Sequence, residues 1–407
     1  MWGAMLKSPH THRVIGVFGL MMALFGTSGM QGVASQSAGA STVKPAVAPG
    51  TVLRWGSYLN KGPGDTDEQD SPTPVAFDAP VEQIATSNSA SYALLTDGTV
   101  WAFGNGDQGQ LGSLPVQREA SAPAQVQFPA GVTIASIGTG GGDDTQYAID
   151  TNGGAWAWGL NANGDLCVDN SKVQDKPVRV NDLPPVKQVS GASNHVLWLT
   201  DAGTVFACGS GVYGELGTGN TFTAKTPVEV QELPADDPAV AVSTGRGFSG
   251  VLTQNGSLYE FGNNSQGQLG IGSTFNQTLP VMVPGTFSQV YLGGDVAIDG
   301  HVLAITTSGV VESWGCDSAG QLGDGGLTNE SSPVTVNVPA GVTFAFVAAG
   351  GEASAAIDTN GNLWTWGSNS NGQLGNGKAT GSELSPIEVD QGVTQVETTA
   401  HNVMDLH

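Results

Sequence analysis

The chain has 407 residues and a formal net charge of −23, from 13 Lys and Arg against 36 Asp and Glu. Its 39% hydrophobic content and 60 glycines exclude a disordered chain and are typical of a turn-rich all-β protein. Because the few basic residues are scattered singly, the composition also excludes nucleic acid as a partner, which requires clustered Lys and Arg.

Residues 1–40 have the features of an export signal. They contain no acidic residue, carry Lys7 and Arg13, and include an apolar run of 12 residues, Val14–Phe25. This run is too short to span a bilayer comfortably, so we expect signal removal and a secreted or cell-envelope protein without a membrane span; an uncleaved anchor is the alternative. We therefore divide the chain into a signal peptide and disordered leader at 1–40 and a single domain at 41–407.

Seven copies of one motif organise the domain. The clearest copy is Leu363–Gly375, in which an alternating aromatic strand leads into a glycine, a polar turn and a second pair of glycines. Such a period along the whole domain is typical of a closed repeat array. The glycine after the strand recurs every 48 to 55 residues, at Gly56, Gly104, Gly159, Gly209, Gly262, Gly315 and Gly367.

Each period predicts four short strands. In the fifth copy, residues 250–253 and 257–261 form a hairpin, and further strands follow Pro280 and precede Gly293. A proline lies 18 or 19 residues after each motif glycine, and we expect it to begin a strand, where a missing amide donor does least harm. Small four-stranded sheets in radial arrangement predict an all-β, seven-bladed β-propeller.

The two ends of the domain predict how the ring closes. Residues 51–56 resemble the return strand of the repeated hairpin without its first strand, and residues 403–407 resemble a first strand without its return. We therefore expect one blade to contain strands from both termini, with residues 51–55 paired beside residues 403–406.

Residues 50–407 resemble the repeats of the regulator of chromosome condensation superfamily in three marks: the aromatic-Gly step, the Gly-Gln-Leu-Gly turn at 372–375, and the Pro-Val step. The resemblance implies a seven-bladed β-propeller but no single function. Its members include a nucleotide-exchange factor for a small GTPase, parts of ubiquitin ligases and a secreted bacterial propeller that inhibits β-lactamases. The export signal favours a secreted, bacterial-type member. Guanine-nucleotide exchange fits less well, since these repeats carry no long insertion and the protein is acidic.

The three cysteines, Cys167, Cys208 and Cys316, leave at least one thiol unpaired within a monomer. Cys167 replaces a turn glycine, and Cys208 replaces the strand-end aromatic residue of the next copy. Neighbouring blades would be able to bring these two together, but we expect free, partly buried thiols.

Candidate catalytic and metal-binding residues are few, and we predict neither an enzyme nor a cofactor. His195 and His301 hold equivalent places and would suit a metal in a central channel, but we expect them to bond to backbone. The sequence Gly209–Gly214 matches a nucleotide-binding fingerprint, but a further turn and not a helix follows it. Weak calcium candidates lie in an acidic loop that solvation alone would explain, at Asp65, Asp67 and Asp70.

The loop between the glycine turn and the proline contains the candidates for binding a protein. Phe222 and Phe275 hold the same place in adjacent copies, Leu327 lies one step earlier in the next copy, and Tyr213 lies in a nearby turn. Exposed aromatic residues anchor protein partners, whereas the alternative is that these residues fold back and cap the blades. We therefore predict a monomeric, non-catalytic propeller that binds an extracellular or envelope protein. A carbohydrate-binding or carbohydrate-acting propeller is the alternative.

Overall fold

The computed structural model describes residues 50–56, 69–87, 89–113, 119–138, 144–294, 300–399 and 402–407. These residues form seven antiparallel sheets of four strands each, and no helix occurs among them. The all-β, seven-bladed propeller predicted from the repeats is therefore confirmed. Within this described part, no helix is long and apolar enough to cross a membrane.

Each blade contains four strands, and we number the blades from the one that holds the ends of the domain. Blade 1 contains β1 (Val52–Gly56), β2 (Gln69–Val75), β27 (Gln395–Thr398) and β28 (Asn402–Leu406). Blade 2 contains β3 (Val81–Thr86), β4 (Ala90–Leu95), β5 (Val100–Asn105) and β6 (Glu119–Gln125). Blade 3 contains β7 (Ile134–Ile137), β8 (Thr145–Asp150), β9 (Ala155–Gly159) and β10 (Gln174–Arg179).

The remaining blades follow the same order. Blade 4 contains β11 (Val186–Gly191), β12 (His195–Thr200), β13 (Val205–Gly209) and β14 (Ala224–Glu229). Blade 5 contains β15 (Ala239–Gly245), β16 (Phe248–Thr253), β17 (Leu258–Gly262) and β18 (Gln277–Met282). Blade 6 contains β19 (Phe287–Leu292), β20 (His301–Thr306), β21 (Val311–Gly315) and β22 (Glu330–Thr335). Blade 7 contains β23 (Phe344–Ala349), β24 (Ala353–Asp358), β25 (Asn362–Ser368) and β26 (Ser382–Gln391).

Blade 1 closes the ring in the way that the sequence predicted. Its strand order is β2-β1-β28-β27, so two strands come from each end of the domain. Strands β1 and β28 are antiparallel, with Val52 opposite Leu406 and Trp55 opposite Val403. The main chain continues the contact, because the Gly50 amide donates to the carbonyl of His407 at 2.6 Å. The predicted pairing of residues 51–55 beside residues 403–406 is confirmed.

The first strands of neighbouring blades contact one another around the axis of the ring. Glutamine side chains join several of these strands. Gln188 on β11 donates to the carbonyl of Val242 on β15 and accepts from the amide of the same residue, both at 3.0 Å. These paired hydrogen bonds satisfy backbone N–H and C=O groups that have no partner in the β ladders, and they hold adjacent blades in register.

The turn glycine and the strand-end aromatic residue of the repeat form a contact between neighbouring blades. A Cβ added to Gly323, whose φ is 70°, would lie 2.6 Å from Nε1 of Trp366 in the next blade. That indole in turn donates to the carbonyl of Gln321 at 2.9 Å. The glycine turn of one blade therefore receives the strand-end ring of the next. The same pairing occurs at Gly112–Trp158, Gly217–Phe261, Gly270–Trp314, Gly323–Trp366 and Gly375–Trp55.

A disulfide replaces this contact between blades 3 and 4. Cys167 holds the place of the turn glycine and Cys208 that of the ring, and the two are bonded with their Cα atoms 5.6 Å apart. Because glycine and ring touch at the five junctions named above, cysteines at these two positions are neighbours. The expectation of free thiols is therefore wrong for this pair. Cys316 is free and buried, as expected.

The repeated prolines lie inside the outermost strands and do not begin them, which corrects the sequence-based expectation. Pro177 is the fourth residue of β10. The register between β9 and β10 shifts between Gln174 and Val178, so the proline lies in a bulge where no ladder donor is needed. The outermost strand of a blade also has one unpaired edge, where proline is tolerated.

We expect Gly323→Ala to destabilise the protein more than Gly341→Ala. Both glycines have positive φ, but a Cβ at Gly341 would have nothing within 4 Å, whereas a Cβ at Gly323 would displace Trp366. Left-handed strain alone costs about 1–2 kcal/mol. Overpacking against the indole adds about 1–3 kcal/mol at Gly323. Urea unfolding of both variants measures the difference, and equal losses would contradict the proposed contact between blades.

Candidate partner-binding face

The connections between third and fourth strands open at one end of the ring, which we call the rim face. Strands alternate in direction, so these connections lie at the same end as the hairpin turns between first and second strands. They are the longest connections in the described blades. In blades 3 to 7 they comprise residues 160–173, 210–223, 263–276, 316–329 and 369–381.

A buried asparagine fixes the shape of the connection in blade 5. Asn264 is fully buried and accepts a hydrogen bond from the amide of Leu269 at 2.9 Å. Its side-chain nitrogen donates to the carbonyls of Ser273 at 2.9 Å and Phe275 at 3.1 Å. One buried side chain thus holds both halves of the loop. Equivalent residues in blades 3, 6 and 7 accept from the matching leucine amide: Asn161, Asp317 and Asn369.

The two phenylalanines predicted to bind a partner are exposed on the rim face. Phe222 and Phe275 are each 77% exposed, and Leu327, at nearly the same place in blade 6, is 57% exposed. The structure does not fold these side chains back over the blades. Three adjacent blades therefore present apolar side chains to solvent from the same connection.

Both phenylalanines stand on fixed backbone. The Phe275 carbonyl accepts from Asn264 and from Gln277, at 3.1 and 3.2 Å. The Phe222 amide donates to Asn220 at 2.9 Å. Exposed rings on a fixed main chain lose little entropy when a partner covers them.

Tyr213 lies at the next blade junction and is half-buried. Its ring packs over Gly247 in the first hairpin turn of blade 5, where an added Cβ would meet the Cδ2 atom at 2.9 Å. The Tyr213 amide donates to Glu215 at 2.7 Å. Burial raises the pKa of Glu215, the residue that replaces glutamine in the Gly-Gln-Leu-Gly turn. Tyr213 therefore presents only part of its ring to solvent.

Val212, beside Tyr213, is a rim residue that the sequence analysis missed. It is 57% exposed and belongs to the same connection of blade 4 as Phe222. No motif marks it, because an isolated valine in a glycine turn is as compatible with a buried as with an exposed place. We call Val212, Phe222, Phe275 and Leu327 the apolar arc.

Uncharged residues flank both phenylalanines of the arc in the sequence. The segments 218–223 and 271–276 contain serine, threonine, asparagine and glycine around the phenylalanine, and neither contains a charged residue. Rigid aromatic residues among Ser, Gly and Asn are the composition that antibody loops use to contact proteins. This composition is more compatible with recognition of a protein surface than with binding of a highly charged ligand.

The two histidines considered for a metal lie at separate blade junctions. Both are fully buried, and His195 Nε2 lies 2.8 Å from the hydroxyl of Ser249, as His301 Nε2 lies 2.9 Å from Ser354. These hydroxyls donate to backbone carbonyls at 2.8 Å. Each histidine is thus linked to a backbone carbonyl through a serine hydroxyl. Burial lowers the pKa of His195 to about 3, so its imidazole is neutral.

Side chains from three blades meet inside the ring. The Tyr291 hydroxyl on β19 donates to Glu397 on β27 at 2.5 Å, past blade 7. The Tyr291 ring also contacts Phe346 of blade 7 edge-on, with centroids 6.4 Å apart. Burial raises the pKa of Glu397 to about 7, although hydrogen bonds from Tyr291 and Gln395 oppose this effect.

Two further sequence-based candidates have different outcomes. Strand β14 follows the Gly209–Gly214 fingerprint, so the match is not a nucleotide-binding turn leading into a helix. The calcium candidates Asp65 and Asp67 lie outside the described residues. Asp70 belongs to β2, but its side chain is likewise outside the description.

A cleft of about 250 Å³ lies beside the disulfide. Its walls include Asp169, Gln174, Arg179 and Asp182. Pockets for small ligands usually enclose about 300–1,000 Å³ and are mostly apolar. This cleft is smaller, so it does not displace the apolar arc as the candidate site.

Comparison with known families agrees with the repeat architecture. The model of the RCC1-like domain matches residues 25–298. Models of the regulator of chromosome condensation (RCC1) repeat match residues 308–357, 344–373 and 360–403. The fold and these matches define a β-propeller built of RCC1 repeats. The chain belongs to the RCC1-like domain family.

Similar proteins have been characterised in plants. The chain is 30% identical over 329 residues to the mitochondrial RCC1 domain-containing protein RUG3 of Arabidopsis thaliana, covering 77% of this chain and 71% of that protein. It is 27% identical over 350 residues to the ultraviolet-B receptor UVR8 of the same plant, covering 84% and 78%.

Solved structures show the same fold. Human WBSCR16 superposes with a TM-score of 0.76 at 22% identity, covering 88% of this chain and 98% of that one. Prp20p from Saccharomyces cerevisiae, whose structure is described with its binding to Gsp1p and histones, also has a TM-score of 0.76, at 21% identity and covering 88% and 92%.

Proposed function

We propose that this protein is a non-catalytic binding propeller that holds a protein partner through the apolar arc on its rim face. The observation that supports this proposal most directly is that Phe222 and Phe275 are each 77% exposed at equivalent places of adjacent blades. Isolated exposed apolar residues are common, but several of them at equivalent places of adjacent blades, at one end of a ring, are typical of a protein interface. Tyr213 forms the half-buried edge of this surface.

Relatives with protein partners support the proposal. The structure of Prp20p is described with its binding to Gsp1p and histones, and yeast RCC1 has been crystallised bound to Kap60. These partners belong to those proteins. For this chain they support a general role of the propeller as a platform for proteins, with guanine-nucleotide exchange as a less favoured activity.

We further propose that the protein acts outside the cytoplasm, as a secreted or cell-envelope protein. Two independent features support this location: the signal-like residues 1–40 and the disulfide between Cys167 and Cys208. Disulfides persist in oxidising compartments and are rare in the cytosol. N-terminal sequencing of the exported protein should show that the leader has been removed, whereas an intact Met1 on an exported protein would support an uncleaved anchor.

Charge suggests the kind of partner. Without residues 1–40 the domain would carry 36 acidic and 11 basic residues, since Lys7 and Arg13 are removed from 13, and a net charge of −25. Such a surface attracts a basic protein, and screening weakens this attraction as salt rises. Apolar contacts persist at high salt, so we expect association to slow at high salt while the complex still forms.

Replacement of Phe222 or Phe275 by alanine tests the proposed function. We expect each change to weaken partner binding by about 2 kcal/mol, roughly thirtyfold in Kd. The free energy of unfolding should change by less than about 0.5 kcal/mol, because the rings are exposed. Affinity capture from secreted and envelope proteins, followed by titration of the captured partner, measures the first quantity, and urea unfolding measures the second.

Met282→Ala is the matched control. Met282 is 56% exposed and lies at the end of the outermost strand of blade 5, outside the rim connections. A partner that binds the control and wild type equally but the phenylalanine variants weakly supports the arc. Unchanged binding by both phenylalanine variants would overturn it. A glycan array tests the carbohydrate-binding alternative. If the arc binds carbohydrate, the wild type should bind glycans and the phenylalanine variants should lose this binding.

A further inference from the structure

Three buried side chains converge where blade 7 meets blade 1, at the end of the ring opposite the rim face. Asp390 lies near the end of β26, Asp405 lies on β28, and His407 follows β28. Nε2 of His407 lies 3.5 Å from Oδ1 of Asp405 and 4.0 Å from Oδ2 of Asp390. One ligand atom from each residue lies within 4.8 Å of the other two.

Contacts with the backbone hold Asp390 and His407 in place. The carboxylate of Asp390 accepts from the amide of Gln391 through Oδ1, which leaves Oδ2 directed at His407. The imidazole of His407 lies beside Gly392, where an added Cβ would be 3.6 Å from Nδ1. His407 is also fixed at its main chain, since its amide donates to the carbonyl of Thr51 at 3.1 Å. The ring nitrogen Nε2 is thus presented to both carboxylates.

This geometry fits a small divalent cation. Zinc takes histidine nitrogen and carboxylate oxygen at about 2.0–2.2 Å in tetrahedral sites, which places its ligand atoms about 3.3 Å apart. The two separations from His407, 3.5 and 4.0 Å, are near this value, and the two carboxylate oxygens lie within 4.8 Å of each other. The three side chains are only 0–4% exposed, so they are removed from water. Carboxylates that are buried in this way are paired or bind metals.

We propose that Asp390, Asp405 and His407 form a zinc site that joins blade 7 to blade 1. Three protein ligands leave one tetrahedral position for water. The residues come from the last strand of blade 7 and from the C-terminal strand of blade 1, so the ion links the two blades at which the ring closes. This function is independent of the partner-binding face, because the site lies at the other end of the ring.

Zinc titration of the full chain tests the proposal. After treatment with EDTA, the protein should bind about one Zn²⁺ per chain, measured by equilibrium dialysis and elemental analysis. Zinc in excess should raise Tm by about 5–10 °C, because an ion that binds only the folded state stabilises it by mass action. Substitution with Co²⁺ should give visible absorption bands of a four-coordinate ion, which report ligation directly.

His407→Gln and Asp405→Asn should each weaken zinc binding more than tenfold, since even outer-shell changes cost about 10–100-fold. Glu388→Gln is the matched control, because Glu388 is an exposed carboxylate on the same strand as Asp390 and should leave affinity unchanged. Failure of the wild-type protein to bind zinc, or equal loss in the Glu388 control, would overturn the site. A pH-dependent bond between protonated His407 and the carboxylates would then be the explanation. Circular dichroism of each variant checks that it folds.

Discussion

Removal of residues 402–407 should abolish cooperative folding of the protein. These residues include β28, which lies between β1 and β27 in blade 1. Without β28, the strand pair β1–β2 from the start of the domain is no longer hydrogen-bonded to β27 from its end. We expect the truncated protein to lack a cooperative thermal transition and to aggregate, because opened blades expose unpaired edges.

The loss also removes buried contacts at the centre of the closing blade. Val403 is 1% exposed and Met404 is 1% exposed. They belong to different apolar clusters, with Val403 packed among blade 7 residues and Met404 among blade 2 residues. Deletion of β28 therefore uncouples blade 1 from both neighbours.

A circular permutant provides the control for this truncation. The Gly50 amide already bonds to the His407 carbonyl, so a short linker is able to join these ends. New ends placed at Gly341, where an added Cβ would have nothing within 4 Å, would leave every blade intact. We expect this permutant to melt near the wild-type Tm. A truncated protein that melts at the wild-type temperature would contradict closure through β28.

The fold was predictable because each repeat contains the two residue types that form the contact between neighbouring blades. A glycine turn and a strand-end ring, such as Gly323 and Trp366, occur together at five of the described junctions, so their spacing gives the number of blades. The half hairpins at the two ends of the domain predicted the closing blade for the same reason. Local signals of this kind survive in the sequence.

The disulfide and the proline positions were mispredicted because they depend on contacts between distant segments. Cys167 and Cys208 are 41 residues apart and meet only once the turn of blade 3 packs on β13. Pro177 was assigned to the start of a strand because the bulge that shifts β10 against β9 leaves no mark in the local pattern. Once the glycine–ring contact is known, the two cysteines could have been paired.

The two candidate sites also differ in how much of each could be predicted from the sequence. The repeat register placed Phe222 and Phe275 on one face, but their exposure follows from packing that the sequence does not show. The group of Asp390, Asp405 and His407 has no motif spacing, since its members meet through the junction of blades 7 and 1. Sites made by ring closure therefore become visible only in the structure.

Glu397→Gln should stabilise the protein at alkaline pH and have little effect at acidic pH. Burial raises the pKa of Glu397 from 4.5 to about 7, so the folded state holds this proton more tightly than the unfolded state. The stability from this group is full below about pH 4.5 and is lost as the pH rises through 7. Glutamine keeps an oxygen that can accept from Tyr291 and has no charge to desolvate.

The expected gain at pH 8.5 is about 3 kcal/mol, and it should fall toward zero at pH 4.5. Comparison with wild type at each pH is essential, because His195 acts in the opposite direction. Burial lowers the pKa of His195 to about 3, so its contribution grows between pH 3 and 6.5 and then stays constant. This contribution cancels in the difference between variant and wild type. Urea unfolding across pH 4.5–8.5 measures that difference. A gain that does not change with pH would show that Glu397 is not the titrating group.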